Sequence, residues 1–279
     1  MAGRVRVPAH LADAARSAVS GQAPPVTPRD AATVMLLREG GAGFEVYMLR
    51  RKPTLAFAPG AYVFPGGSVD LRDADEQVDW AGPDAARWGE LLGAPPELAR
   101  ALVCAAVRET FEESGVLLAG PTAGSVVADT TGEDWEADRQ GLLDRSLSLA
   151  GLMARRELVL RSDLLRPWAR WITPAAEPRR FDARFFAAAL PPGQRPRDVG
   201  GEAAAVQWIT PAAAIEAARA RQIDLWLPTA VTLAELADFP DATAVLAARR
   251  DIRPLLPELR ATDDGEVWLV VPGGTEYPL

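Results

Sequence analysis

Residues 97–114 constrain the fold more than any other stretch of the chain, because they carry two helical patterns at once. At roughly 100° per residue, Arg108, Glu112, Glu109 and Glu113 fall in that order within about 140° of one helix face. Val103, Cys104, Val107 and Phe111 occupy the opposite side, so the helix buries an apolar stripe and holds three carboxylates toward a cleft. Like charges three and four residues apart destabilise a helix by a few tenths of a kcal/mol each, and in this run only Arg108 offsets them. Such a face is either a solvated acidic surface or a seat for a divalent cation. Pro95-Pro96 is placed to start the helix and Gly115 to stop it after Ser114.

The flanking pattern predicts an α/β chain. Ala32–Leu37 and Phe44–Leu49 read as strands of a hairpin joined through Gly40–Gly43, and Phe64-Pro65-Gly66-Gly67 as a tight turn with bare backbone. Asp84–Leu92 suggests a short helix, and residues 133–161 keep helical spacing through Trp135, Leu142, Leu143, Leu147, Leu149, Leu152 and Met153. That segment is a packing helix, a cap over the cleft or a homodimer contact. Strands follow at Trp168–Ile172, Arg180–Ala187 and Ala204–Ile209, helices at Pro211–Arg221 and Pro228–Ala237, and a strand at Val267–Val271. A further helix is expected at Ala9–Val19.

Charge and composition exclude several classes. A formal charge of −8 argues against a general nucleic-acid binder, and it leaves the binding of any anion to local basic groups. His10 is the single histidine, which removes histidine triads and histidine zinc sites. Cys104 has no partner for a disulfide and reads as a buried thiol. With no run of eighteen apolar residues and no secretory h-region, a cytoplasmic protein without membrane contact is expected.

Gly67, Asp73 six residues later, and Arg108-Glu109-Thr110-Phe111-Glu112-Glu113-Ser114-Gly115-Val116 together resemble the signature of the Nudix hydrolases. Asp73 stands where that family usually has Glu, and Thr110 where it usually has an aliphatic residue. The spacing also departs: 34 residues separate Asp73 from Arg108 where the family has seven, so about 27 are inserted. A similarly interrupted box occurs in the peroxisomal coenzyme A diphosphatase branch. Pro59–Gly67 and Trp171-Ile172-Thr173-Pro174 leading to Arg180-Phe181-Asp182 also look like that branch.

The resemblance implies a Nudix α/β/α sandwich with a mixed sheet at residues 30–238, helical insertions at about 74–100 and 120–165, an N-terminal segment 1–29 and a C-terminal extension 239–279. It implies Mg²⁺ or Mn²⁺ held by Glu109, Glu112, Glu113 and the Gly67 carbonyl, with Arg108, Glu109 and Glu112 in catalytic roles. Arg108 would hold the carboxylates in place. Which glutamate is base and which are ligands stays open, because neighbouring acids titrate together. The segment inserted after Asp73, residues 74–96, is expected to loop out at the surface near the cleft mouth.

The implied reaction is hydrolysis of a nucleoside diphosphate linked to another group, with coenzyme A or acyl-coenzyme A the leading small-molecule substrate. NADH or ADP-ribose is the enzymatic alternative. A ligand sensor or scaffold is the non-catalytic one, and it usually accompanies loss of the glutamates, all three of which remain here. For substrate contact, Glu202 is either a further loop acid or a solvated one. Strand alternation puts Arg180 and Arg184 on the face opposite Phe181 and Phe185, where they meet phosphate or form salt bridges. Of Arg50 and Arg51 at most one faces the cleft. Tyr62, Phe64 and Trp171 are core aromatics or stack on a base.

Overall fold

The computed structural model describes residues 4–6, 26–41, 43–55, 58–74, 77–198, 200, 203–261, 266–271 and 278–279. The expected helix Ala9–Val19, with His10, and the loop acid Glu202 lie outside the described residues. The backbone alone is described at Arg4–Arg6 (β1).

A twelve-residue strand, Arg29–Gly40 (β2), is the axis of the molecule. It turns back through Gly43, whose φ of 105° suits glycine, into Gly43–Arg51 (β3). Two short strands, Tyr62–Val63 (β4) and Gly66–Ser68 (β5), pair with β3 and β2 respectively. Later strands Arg166–Ile172 (β9), Phe181–Ala189 (β10), Ala203–Ile209 (β11) and Pro254–Leu255 (β12) complete one sheet in the order β11-β3-β2-β10-β9-β12. The sheet is mixed, because β10 runs parallel to β2 while β3 runs antiparallel to it.

Both faces of this sheet are covered, which is why β2 reads as nearly continuous apolar sequence rather than alternating. On one face Ala32, Val34, Leu36 and Phe186 pack beneath helices Ala85–Leu92 (α1) and Pro96–Ser114 (α2). On the other, Met35, Leu37, Phe185 and Ala187 meet helices Pro211–Arg219 (α5), Leu227–Ala237 (α6) and Ala242–Ala247 (α7). The result is the α/β/α sandwich. Cys104 is buried in α2, as its apolar face requires.

The two insertions depart from expectation. Residues 77–96 do not loop out at the cleft mouth. Trp80–Ala81 (β6) pairs with Val159–Arg161 (β8), and β8 pairs with Ala119–Gly120 (β7), so the insertions share a second sheet. Asp84 caps α1 by accepting from the Arg87 backbone N–H, and Trp88, 1% exposed, donates its indole N–H to Ser162. The physical reason is that the segment carries Val78, Trp88 and Leu92, whose burial against α2 is worth about 1.5–3 kcal/mol per large side chain.

Residues 133–161 form not one helix but two, Glu133–Leu143 (α3) and Leu149–Arg155 (α4), followed by β8. Arg145, at φ 65°, breaks the run, and Ser148 caps α4. Near the C-terminus Glu258–Ala261 (β13) and Val267–Val270 (β14) join β1 in a third sheet. Among the described residues no helix is long and apolar enough to cross a membrane.

Candidate active site

The C-terminal half of α2 lies against β5, and the two glycines explain how closely. A Cβ on Gly66 would meet the Ala32 carbonyl oxygen at 2.5 Å, and one on Gly67 would collide with the Glu109 carboxylate. Bare backbone therefore brings strand and helix into contact, and the Gly66 N–H donates to Glu113 Oε2 at 2.8 Å. Gly115, at φ 74°, ends the helix with its N–H bonded to the Phe111 carbonyl.

Arg108 binds this arrangement together. Its Nε and Nη2 donate to the two oxygens of Asp73 at 2.9 Å each, in the planar fork geometry that suits a carboxylate. Nη1 donates to Glu109 at 2.8 Å and Glu112 at 3.1 Å, and Nη2 also reaches the Ser68 carbonyl at 3.0 Å. Asp73, carried on a 3-10 turn over Leu71–Ala74, is itself fixed by the Asp70 N–H at 2.8 Å. The insertion thus leaves after Asp73 and returns to the same place. Arg139, from α3, donates to the Glu112 main-chain carbonyl at 2.8 Å.

Burial raises the Glu109 carboxyl to about 7; Arg108 opposes the shift, and Glu112 and Asp73 add to it. Burial also raises Glu112 against the pull of Arg108. For Arg108 the cost of burial is outweighed by Asp73, Glu109 and Glu112, which hold it firmly charged. Burial, more than repulsion between the acids, is therefore what disfavours their charged forms in this wall.

That donor set, all hard oxygens, fits a divalent cation such as Mg²⁺ or Mn²⁺. As the side chains stand, Arg108 takes the carboxylate oxygens, and among the described residues no three acids converge closely enough to hold an ion.

The acids open onto a cleft of about 870 Å³. Gly67, Arg108, Glu109, Glu112, Glu113 and Arg51 line it. Arg50 points the other way, into a separate pocket of about 380 Å³ with Tyr62 and Arg221. Phe64 lines the cleft but packs edge-on against Phe185 at 6.4 Å.

Arg180 and Arg184 do not reach the cleft. On β10 it is Phe181, Ala183 and Phe185 that face it, so the alternating arginines turn away. Arg180 donates to the carbonyls of Thr173 and Val26, and Arg184, 2% exposed, is tied to Asp30 and Asp182. They are structural, because a buried guanidinium takes whatever acceptors enclose it.

Arg139, Leu142 and Arg145 bring the second insertion onto the cleft, in line with the cap reading of residues 133–161, and pattern alone did not indicate the other walls: Arg72, Asp224–Thr229 at the start of α6, and Leu269 from β14. Arg72 follows the glycine turn closely enough to have been suspected. The residues of α6 and β14 carry no local signal, because only the closing of the fold brings them there.

The family described as the NUDT19 Nudix domain matches residues 83–236, more than half of the chain. The chain is 30% identical to the human acyl-coenzyme A diphosphatase NUDT19, over 84% of this chain and 72% of that protein. It is 31% identical to the Gallus gallus protein of the same name, over 86% of this chain and 74% of the relative. Among solved structures, a NUDIX hydrolase from Alicyclobacillus acidocaldarius superposes with a TM-score of 0.67 at 27% identity, covering 80% of this chain and 97% of that one. With the Gly67–Asp73 turn closed onto the glutamate face of α2 by Arg108, and with these matches, the chain belongs to the Nudix hydrolases, in the NUDT19 family.

Proposed function

We propose that this Nudix hydrolase is a Mg²⁺- or Mn²⁺-dependent diphosphatase that cleaves coenzyme A or acyl-coenzyme A. The observation that carries the reading is the wall of Glu109, Glu112 and Glu113, organised by Arg108, on a cleft of about 870 Å³. The names of the human and Gallus gallus relatives, acyl-coenzyme A diphosphatases, supply the substrate class.

In the reaction, water adds to one phosphorus of the anhydride and the bridging P–O bond breaks, leaving adenosine 3′,5′-bisphosphate and 4′-phosphopantetheine, which keeps its S-acyl group when the substrate is acyl-coenzyme A. A bound divalent cation draws charge from the phosphate oxygens and makes water a better nucleophile. Glu109, Glu112 and Glu113, with the Gly67 carbonyl, are the groups that would hold it. Arg108 keeps the carboxylates from repelling one another apart. The base that takes a proton from water would come from the same wall, as a carboxylate oxygen that the cation leaves free. Arg51 and Arg179 bring positive charge into the cleft of a protein whose net charge is −8. Action in the cytoplasm, and as a homodimer, belongs to the same proposal.

The test is a substrate panel of coenzyme A, acyl-coenzyme A, NADH and ADP-ribose with each metal, with products identified by mass. Metal-dependent release of 4′-phosphopantetheine, at higher kcat/KM than any NADH or ADP-ribose cleavage, is expected. A preference for NADH or ADP-ribose would replace the substrate, and no turnover of any of them would remove the enzymatic reading.

A further inference from the structure

The last turn of α2 carries Glu112 and Glu113, and it is an unfavourable place for two acids. The final carbonyls of a helix have no partner within it, and their partial negative charge repels carboxylates. A cation in the last turn would relieve this, but α2 has no basic residue there. The guanidinium of Arg108 reaches three carboxylates and the Ser68 carbonyl, and none of these bonds is to the main chain of that turn.

The missing donors come from outside the helix. Arg139 of α3, 1% exposed, gives Nη1 to the Glu112 carbonyl at 2.8 Å. The Arg197 N–H reaches the Ser114 carbonyl at 3.1 Å, and the Thr130 hydroxyl the Gly115 carbonyl at 2.6 Å. These groups are themselves fixed. Arg139 forks onto Glu136, which the Arg197 guanidinium shares at 3.3 Å, so two cations stand on one carboxylate beside the negative end of α2. Tyr47, buried on β3, donates its hydroxyl to the Arg197 carbonyl at 2.9 Å and ties the cluster to the sheet. Gly115 is needed for close approach as well as for its φ, since a Cβ there would collide with the Arg197 guanidinium.

We infer that Arg139 is a positioning residue for the metal face: by holding the Glu112 carbonyl from outside the helix it fixes the last turn of α2, and with it the carboxylates of Glu112 and Glu113. The inference rests on the divalent-cation reading above. A hard cation such as Mg²⁺ demands near-octahedral oxygen geometry, and a turn free to fray would move two of its ligands together. Packing alone does not call for this arginine. Trp135 already seats α3 on α2 through Phe111, with ring centroids 6.1 Å apart, and burying a guanidinium carries a desolvation cost that only its bonds offset. The second insertion thus supports the metal face from behind, as Arg108 does from the side.

The experiment measures Mn²⁺ binding to the full, substrate-free chain from the electron paramagnetic resonance signal of the free ion, with Tm of each variant recorded in chelator. Arg139→Leu keeps an aliphatic side chain and removes the donors. Its Mn²⁺ dissociation constant should rise about 10- to 100-fold, the usual loss for a group that orients ligands. Arg156→Leu is the control: Arg156 bonds to Asp134 and Asp138 of α3 and stacks on Trp135, so its loss loosens the same insertion without freeing the Glu112 carbonyl. It should lower Tm while Mn²⁺ affinity stays within about twofold of wild type. Arg139→Lys keeps a donor for the carbonyl but not the fork on Glu136; its affinity should fall between wild type and Arg139→Leu, and it decides alone if Arg139→Leu does not fold. At saturating Mn²⁺, kcat of Arg139→Leu should remain below that of Arg156→Leu with KM for coenzyme A unchanged. Affinity within about twofold of wild type in the folded Arg139 variants, or an equal loss in Arg156→Leu, overturns the positioning role and leaves the hydrolase reading standing. A wild-type protein that binds no Mn²⁺ overturns both. Mn²⁺ binding that depends on Arg139 in a protein that does not cleave coenzyme A supports the role and removes only the substrate.

Discussion

Replacing Asp73 by Asn tests how the interrupted box is held closed. Asp73 is 2% exposed and Arg108 8%, and the carboxylate takes two guanidinium N–H groups at 2.9 Å and the Asp70 N–H at 2.8 Å. Asn keeps the shape but offers one acceptor oxygen, and its amide N–H₂ is forced against a guanidinium N–H. Removing one partner of a buried ion pair costs about 3–5 kcal/mol. Because Glu109 and Glu112 still contact Arg108, its charge is not stranded, and the lower end, about 3 kcal/mol, is expected. At about 2–4 °C per kcal/mol for a chain of this size, Tm should fall by roughly 6–12 °C. The control is Asp70→Asn, whose partner Arg72 is 37% exposed, so that loss should stay below about 1 kcal/mol. Urea unfolding followed by both fluorescence and circular dichroism gives the two differences. Equal losses for the two variants, both under about 1 kcal/mol, would refute the claim that this pair joins the two halves of the box across the insertion.

Glu112→Gln and Glu113→Gln should each lower kcat on the order of 100-fold or more while Tm stays near wild type, because a hard cation needs the charge and the fold does not; near wild-type turnover would place the cation elsewhere. The folded pKa of Glu109, about 7, lies above the ordinary carboxyl value, so its contribution to stability is full below pH about 4.5 and is lost as pH rises through about 7. In chelator, Tm of the wild type should therefore decline over that window more steeply than Tm of Glu109→Gln, and parallel curves would contradict the burial argument. With Arg180 and Arg184 turned from the cleft, any preference for coenzyme A over its 3′-dephospho form should depend on Arg51 and Arg179. Arg51→Ala and Arg179→Ala should reduce the ratio of kcat/KM values toward one, and an unchanged ratio in both would move recognition of that phosphate to other groups.

What the sequence determined by itself was whatever local geometry controls. Helical periodicity placed Glu109, Glu112 and Glu113 on one face of α2, and Pro96 and Gly115 bounded it because one suits a helix start and the other the left-handed residue that ends it. Strand alternation separated Arg180 and Arg184 from Phe181 and Phe185 correctly, yet it could not say which face meets the cleft, since a period of two is silent about what covers each side. Nor could pattern distinguish an insertion that packs from one that hangs in solvent; Trp88 and Leu92 settled that by finding α2 and Phe186 to bury against. Tertiary structure alone decided that Asp73 reaches Arg108 across 34 residues, because closing a long loop adds little entropy per residue once its ends are held by buried charge. It also carried Trp171, the start of α6 and Leu269 to the same cleft from three distant segments, and no local rule relates such residues until the sheet has ordered its strands.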